Sequence, residues 1–279
     1  MRIGVHTSIA GGLENSLARA HKLGCNTMQI FSGSPRVWAS REPADDDITA
    51  FRKSRLEYGI SPVFIHCSYL INLATSKPEL RSKSIAMLIR DMNRADALKA
   101  DYVVIHTGSA SGEDPKAARG KAISCLNEIA SMGKWDAGIL LENTAGERGD
   151  ITSRMEDLSE IADRVSDDLI SGICLDTCHA FAAGYDIRNH AGAESLANDI
   201  TGYIGAGRLR LIHLNDSKGE LGSGVDRHEH IGIGKIGLEG FRTLLSLSVF
   251  KEIPLILETP KKTDEDDPRN LKIVRELVK

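Results

Sequence analysis

Six short apolar runs in this chain each end on a residue type that binds metal ions: Val63-Phe64-Ile65-His66, Val103-Val104-Ile105-His106, Ile139-Leu140-Leu141-Glu142, Ile173-Cys174-Leu175-Asp176, Arg210-Leu211-Ile212-His213 and Leu255-Ile256-Leu257-Glu258. Any one of these histidines alone reads as a satisfied buried side chain, and any one carboxylate as a salt-bridge partner. Six in register read differently. Three imidazoles and three carboxylates would share one small volume, where three carboxylates packed together without a cation would repel and shift one another's pKa, so a multivalent cation is the physical reason to collect them. Mixed nitrogen and oxygen donors suit Zn, Mn or Fe better than Ca or Mg. Three more residues extend the set: His179, three after Asp176, and the pair Asp226 and His228, two apart in an extended segment and so on one side of it.

Such residues converge only if the elements carrying them do. Strand-length runs rich in Val, Ile and Leu recur at Arg2 to His6, Thr27 to Phe31, Pro62 to His66, Tyr102 to His106, Gly138 to Glu142, Ser171 to Asp176, Leu209 to His213 and Pro254 to Glu258. Between them lie stretches with helical periodicity, such as Leu80 through Leu98, or Leu158 to Val165 behind the capping candidate Ser153. Apolar runs without polar alternation are strands buried on both faces, the mark of a parallel sheet covered by helices. Eight strand-helix units in 279 residues predict an α/β protein, a single-domain (β/α)8 TIM barrel over residues 1–279 with its active site at the C-terminal face of the strands. An open doubly wound sheet is the rival, but no GxGxxG follows an early strand. The longer segments Ser32 to Asp47, Cys67 to Pro78 and Leu214 to Gly237 are the expected binding loops.

Composition narrows the function classes. With 41% hydrophobic and 27% charged residues the chain is neither disordered nor fibrous. No apolar run nears the roughly 18 residues of a membrane span and no signal segment opens the chain, so no membrane role and a cytoplasmic location are expected. Five scattered cysteines without a CxxC spacing give neither a disulfide framework nor a thiolate zinc knuckle. A net charge of -4 excludes histone-like basicity while leaving room for a local positive groove.

Three long segments carry a family resemblance. His66-Cys67-Ser68-Tyr69-Leu70-Ile71-Asn72-Leu73-Ala74, Gly172 to Phe181 with Ala183-Gly184-Tyr185-Asp186, and Ile212 to Lys218 through Gly222-Ser223 to Asp226-Arg227-His228 resemble the signatures of the endonuclease IV family of apurinic/apyrimidinic (AP) endonucleases. The likeness runs from Val5-His6 to Glu258-Thr259-Pro260. It implies a trinuclear zinc site, with partial Mn or Fe substitution allowed: one ion on His66, His106 and Glu142, a second on Glu142, Asp176, His213 and Glu258, and a third on His179, Asp226 and His228. Glu142, the bridging group, and Glu258 are then the expected catalytic carboxylates. The ions would activate water for in-line attack on phosphorus and offset charge on the leaving O3′.

By the same resemblance the substrate is double-stranded DNA containing abasic sites or 3′-blocked ends. It would be cut 5′ to the lesion to leave a 3′-hydroxyl and a 5′-deoxyribose phosphate, by a monomeric enzyme. An abasic nucleotide is the cheapest to extrude from a duplex, having no base to unstack. Arg36, behind Gly33-Ser34-Pro35 where some relatives have Lys-Asn, and Tyr69 resemble the family's DNA-penetrating side chains, while Lys218 and Arg227 are expected at phosphate oxygens. His6 and His230 are lone histidines read either as supports behind the metal ligands or as DNA contacts, with structural roles at least an equal alternative, and Trp135 and His190 take no assignment. The competing enzyme class is a sugar isomerase or epimerase of the same barrel architecture, for which Glu142, Asp176, His213 and Glu258 would suffice. A lesion-binding protein without catalysis ranks last, since it would have no need of a full ligand set.

Overall fold

The computed structural model describes residues 1–39 and 41–279. The first half of the chain runs β1 (Ile3–Val5), α1 (Leu13–Lys22), β2 (Met28–Phe31), α2 (Asp45–Glu57), β3 (Val63–His66), α3 (Pro78–Leu98), β4 (Tyr102–Ile105), α4 (Pro115–Met132) and β5 (Gly138–Glu142). The second half continues with α5 (Met155–Arg164), β6 (Ile170–Asp176), α6 (Thr177–Ala182), α7 (His190–Asp199), β7 (Leu209–His213), β8 (Asp216–Ser217), β9 (His228–Glu229), α8 (Gly237–Ser246), β10 (Leu255–Leu257) and α9 (Asp266–Leu277). Eight strands form one parallel sheet in the order β1-β10-β7-β6-β5-β4-β3-β2, while β8 and β9 pair as a separate antiparallel hairpin. The seam between β1 and β2 closes through a single bridge, His6 with Gln29, and through the Thr7 amide donating to the Gln29 carbonyl at 2.8 Å. The fold is the expected TIM barrel. Close approach at the seam requires Gly4, because a Cβ there would lie 1.9 Å from the Thr27 carbonyl oxygen.

Strand periodicity explains how the barrel aims its chemistry. Phe64, Val104, Leu140, Cys174, Leu211 and Ile256 pack together as a small buried cluster inside the barrel. Each stands two residues before His66, His106, Glu142, Asp176, His213 or Glu258, and residues two apart share a face of a strand. The apolar plug therefore fixes the inward direction that the polar residue above it follows. The alternate residues, among them Ile65, Ile105, Leu141, Leu175, Ile212 and Leu257, face outward into the larger core shared with the helices. Helix α3 illustrates that layer: Pro78 starts it, Ile85, Leu88, Met92 and Ala95 are buried at helical spacing, and Lys99 ends it in the left-handed region at φ 55°.

Two sequence expectations shift in detail. His6, His106 and Glu258 lie one residue past their strands, which end at Val5, Ile105 and Leu257 where the backbone leaves the ladder. Ser153 is not the cap of α5. The N-cap is Arg154, without a side-chain cap bond, and Glu156 and Asp157 supply the negative charge favoured in the first turn. No helix of the described residues is long and apolar enough to cross a membrane, and all five cysteines are buried and unpaired.

Candidate metal centre

All nine expected ligand residues meet at the C-terminal mouth of the barrel. They fall into three groups whose donor atoms lie within 4.8 Å of one another: His66, His106 and Glu142; Glu142, Asp176, His213 and Glu258; and His179, Asp226 and His228. Glu142, fully buried, stands between the first two, with Oε2 3.1 Å from His66 Nε2 and 3.4 Å from His106 Nε2 while Oε1 is 3.0 Å from His213 Nδ1. Asp176 links the second and third: its Oδ2 is 3.9 Å from His213 Nδ1 and 3.5 Å from His228 Nε2. Its other oxygen accepts the His179 amide at 2.8 Å and so caps α6, which explains the three-residue spacing from Asp176 to His179. His228 takes its place from the β8–β9 hairpin, where it pairs with Ser217.

The outer nitrogens of four histidines fix their tautomers. His66 Nδ1 is 2.8 Å from the Cys67 carbonyl, His179 Nδ1 2.9 Å from the Asn143 carbonyl and His228 Nδ1 3.0 Å from the Glu258 carbonyl. His213 Nε2 is 2.8 Å from Gln29 Oε1, the amide being oriented by Gln29 Nε2 donating to Glu258 Oε1 at 2.7 Å. A carbonyl only accepts, so each outer nitrogen carries a proton. The inner nitrogen then presents a lone pair to carboxylates, unless it is protonated or binds a cation. His179 Nε2 and His228 Nε2 are buried without a hydrogen-bond partner, although Asp226 Oδ1 is 3.1 and 3.3 Å away.

The electrostatics of the protein groups alone lead to the same alternative. Burial opposes ionisation of Glu142, yet His106 and His213, with hydrogen bonds from His179 and His213, hold its carboxyl well below the usual range. Burial likewise opposes charge on His213, but Glu258 and Glu142 raise it to about 9; His228, opposed by burial and raised by Asp176 and Asp226, also reaches about 9. His179 is raised well above its ordinary value against burial, chiefly by Asp176 and Asp226. Burial dominates at His6 and His106, whose pKa values fall. Cys174 and Cys178 also approach the clusters, but burial pushes both thiols up, Cys178 to about 12, so neither offers a thiolate.

A cavity of about 670 Å³ opens over the centre, lined by His66, His106, His179 and Glu258 together with the apolar Ile9, Phe31 and Pro35. Tyr69 stands at its rim, 68% exposed, with its ring edge-on to Phe31 at 5.4 Å. Arg36 is exposed on the loop after β2, which is tied to the Tyr69 loop by Ser68 Oγ donating to the Pro35 carbonyl at 2.7 Å. Lys218 and Arg227 are exposed on the loop after β7, where the Lys218 amide donates to the Arg227 carbonyl and Lys218 Nζ lies 3.8 Å from Glu229.

Sequence reading passed over Gln29, which touches two ligand residues at once; its signal is a polar residue inside the apolar run Thr27 to Phe31. His6 joins the site, 3.1 Å from Glu258 Oε1, whereas His230 sits away from it against Asn270 and Asp266.

A family model described as a xylose isomerase-like TIM barrel matches residues 17–278. A protein named "Probable endonuclease 4" from Methanoculleus marisnigri is 42% identical over 277 residues, covering 99% of this chain and 98% of the relative. The chain belongs to the endonuclease IV family. A second family member so named, from Halothermothrix orenii, is 42% identical over 95% of this chain and 96% of its own. The crystal structure of endonuclease IV from Thermus thermophilus superposes with a TM-score of 0.87 at 37% identity, over 100% of this chain and 99% of that one. A D-tagatose 3-epimerase-like protein, at 20% identity and a TM-score of 0.76, shares the barrel fold with the family.

Proposed function

We propose that this chain is a zinc-dependent DNA-repair endonuclease that hydrolyses the phosphodiester 5′ to an abasic site, leaving a 3′-hydroxyl and a 5′-deoxyribose phosphate, and that it also removes 3′-blocking groups. Membership of the family makes it a DNA-cleaving hydrolase. The observation that carries the reading is the convergence of nine metal-binding side chains into three groups, the first two of which share Glu142. The donor set fits zinc: neutral imidazoles oriented by outer carbonyl acceptors, facing buried carboxylates, are what a zinc site requires of its surroundings. His66, His106 and Glu142 would hold one ion, Glu142, Asp176, His213 and Glu258 a second, and His179, Asp226 and His228 a third; the same donors would accept Mn or Fe in part. Zinc held there supplies Lewis-acid charge that lowers the pKa of attacking water and offsets negative charge developing on phosphoryl oxygens.

The chain's own residues do the rest. Gln29 and His6 hold the Glu258 carboxylate, and Gln29 at the same time fixes the His213 ring. The apolar wall of Ile9, Phe31 and Pro35 receives a baseless sugar and excludes water from it. Arg36 and Tyr69 enter the duplex and fill the gap left in the stack, and Lys218 and Arg227 meet phosphate oxygens. Residues 1–279 act as one domain, and the enzyme works as a monomer. The sugar epimerase alternative needs only Glu142, Asp176, His213 and Glu258, leaving His66, His106 and the third group without a task. Incubation of the zinc-loaded protein with a duplex bearing one abasic site tests the reading: incision with a polymerase-extendable 3′ end is expected, and an intact duplex contradicts it.

A further inference from the structure

The segment between β7 and α8 packs Leu214, Ile231 and Ile236 into the core at its two ends and delivers Asp226 and His228 beside His179. Several polar ties hold it down. The Gly222 and Gly224 amides donate to the Phe181 and Ala182 carbonyls, and Lys235 Nζ meets Glu220 Oε1 at 2.6 Å on the surface. Two buried side chains add to these ties: Asn270, whose Oδ1 accepts the Ile231 amide at 3.0 Å, and Asp216. Its carboxylate is fully buried, with Oδ1 accepting the amides of Ser217 at 2.8 Å and Ile236 at 2.9 Å, and Oδ2 those of Gly232 at 2.9 Å and Gly234 at 3.1 Å. The Gly237 amide lies 3.4 and 3.3 Å from the two oxygens. One side chain therefore joins the strand where the segment departs to the turn where it returns. The Lys235 amide on the Ser217 carbonyl and the pairing of Ser217 with His228 complete the knot.

We propose that Asp216 is the positioning residue of the third ligand group: its carboxylate closes the base of residues 217–236 so that Asp226 and His228 face His179. The proposal rests on reading that group as a metal site. Only an acidic side chain of this length fits. Both oxygens must accept N–H groups, so an amide would turn its own NH2 against two of the donors. The site has no slack either, because a Cβ on Gly234 would lie 2.5 Å from both Asp216 Oδ1 and the Ser217 carbonyl oxygen. Two substitutions therefore strike the same knot from opposite sides, Asp216→Asn from within and Gly234→Ala from without. Glu220→Ala, which removes only the surface pair with Lys235, is the control.

The test combines elemental analysis of the full-length zinc-loaded protein, after dialysis against a weak chelator, with hydrogen exchange of the amides of residues 218–229. Asp216→Asn and Gly234→Ala should each lose about one zinc in three and exchange faster across that segment, with the remaining ions kept. Asp226→Asn should lose the same ion without the faster exchange, since it removes a ligand and not the knot; Glu220→Ala should change neither. Folded Asp216→Asn and Gly234→Ala proteins with parental zinc content and parental exchange overturn the proposal, and so does failure of both to fold, which would make Asp216 a residue of the whole fold. A parent protein that never holds a third zinc refutes the metal reading of the group instead. In that case the exchange data still decide whether Asp216 orders the segment.

Discussion

The first two ligand groups and the third are built differently. His66, Glu142, Asp176 and His213 stand at strand ends directly above the apolar plug, at most 4% exposed; His106 at 28% and Glu258 at 17% lie one residue past their strands, and the directions of all six are set by the barrel itself. In the third group His179 is buried on helix α6, just past the end of β6; the Asp226 side chain is 46% exposed and His228 17%, both on a segment held by hydrogen bonds. Rigidity inherited from a packed core is shared with the whole fold and is lost only when the fold is lost. Rigidity assembled from local polar ties can fail by itself. The chain should thus behave as a robust strand-borne centre with a separable loop-borne one.

The largest expected effect comes from the residue that unites the strand-borne groups. Glu142→Gln should reduce single-turnover cleavage of abasic duplex on the order of a thousand-fold or more while leaving duplex binding nearly intact, because Glu142 belongs to two groups at once. Near-parental turnover would break the assignment. Next in size, replacing Arg36 and Tyr69 together by Ala should slow incision at an internal abasic site on the order of 100-fold, since unstacking costs about a few kcal/mol per step. The loss should be smaller at a 3′-terminal lesion with little stacking left to break, and zinc content should be unchanged. Equal losses on both substrates would refute duplex penetration.

Gln29→Leu should weaken zinc binding roughly 10- to 100-fold, the usual cost of removing a partner that orients ligands. A zinc titration of the chelated protein reads that change, and an unaltered affinity would contradict the role given to Gln29.

The smallest effect is on stability. His213 and His228 have folded pKa values of about 9, above the ordinary histidine value of 6.5. Their contribution to the chelated protein is complete below about pH 6.5 and is lost as pH rises toward 9. The Tm of chelated protein should fall by a few degrees across that window, whereas the zinc-loaded protein, with these rings neutral, should show a flatter profile. Parallel profiles would contradict the assignment of these histidines as ligands.

How much of this was legible in the sequence follows the same division. The eight strands are found within one or two residues of where apolar runs place them, and His66, His106, Glu142, Asp176, His213 and Glu258 stand at or one residue past the ends of those strands; that they point inward is set by the plug two residues before each, which strands apolar on both faces do not reveal. The β8–β9 hairpin is invisible to that reasoning because two-residue strands carry no period. Gln29 and Asp216 escape for a different reason. Their roles lie in contacts to His213 and Glu258, or to the amides of residues 232–237, that only the folded chain brings together. Ser153 misleads because the local pattern suits a cap while the helix begins at Met155.

The most direct test of the central claim, that nine side chains build a metal centre for cutting DNA 5′ to a missing base, is incision of a duplex carrying a single abasic site. The purified protein is assayed as isolated, after chelation and after zinc is restored, with the new 3′ end probed by polymerase extension. The account predicts one incision 5′ to the lesion with an extendable 3′ end, lost on chelation and regained with zinc. Incision that survives complete removal of metal, or a 3′ end that cannot be extended, would contradict it.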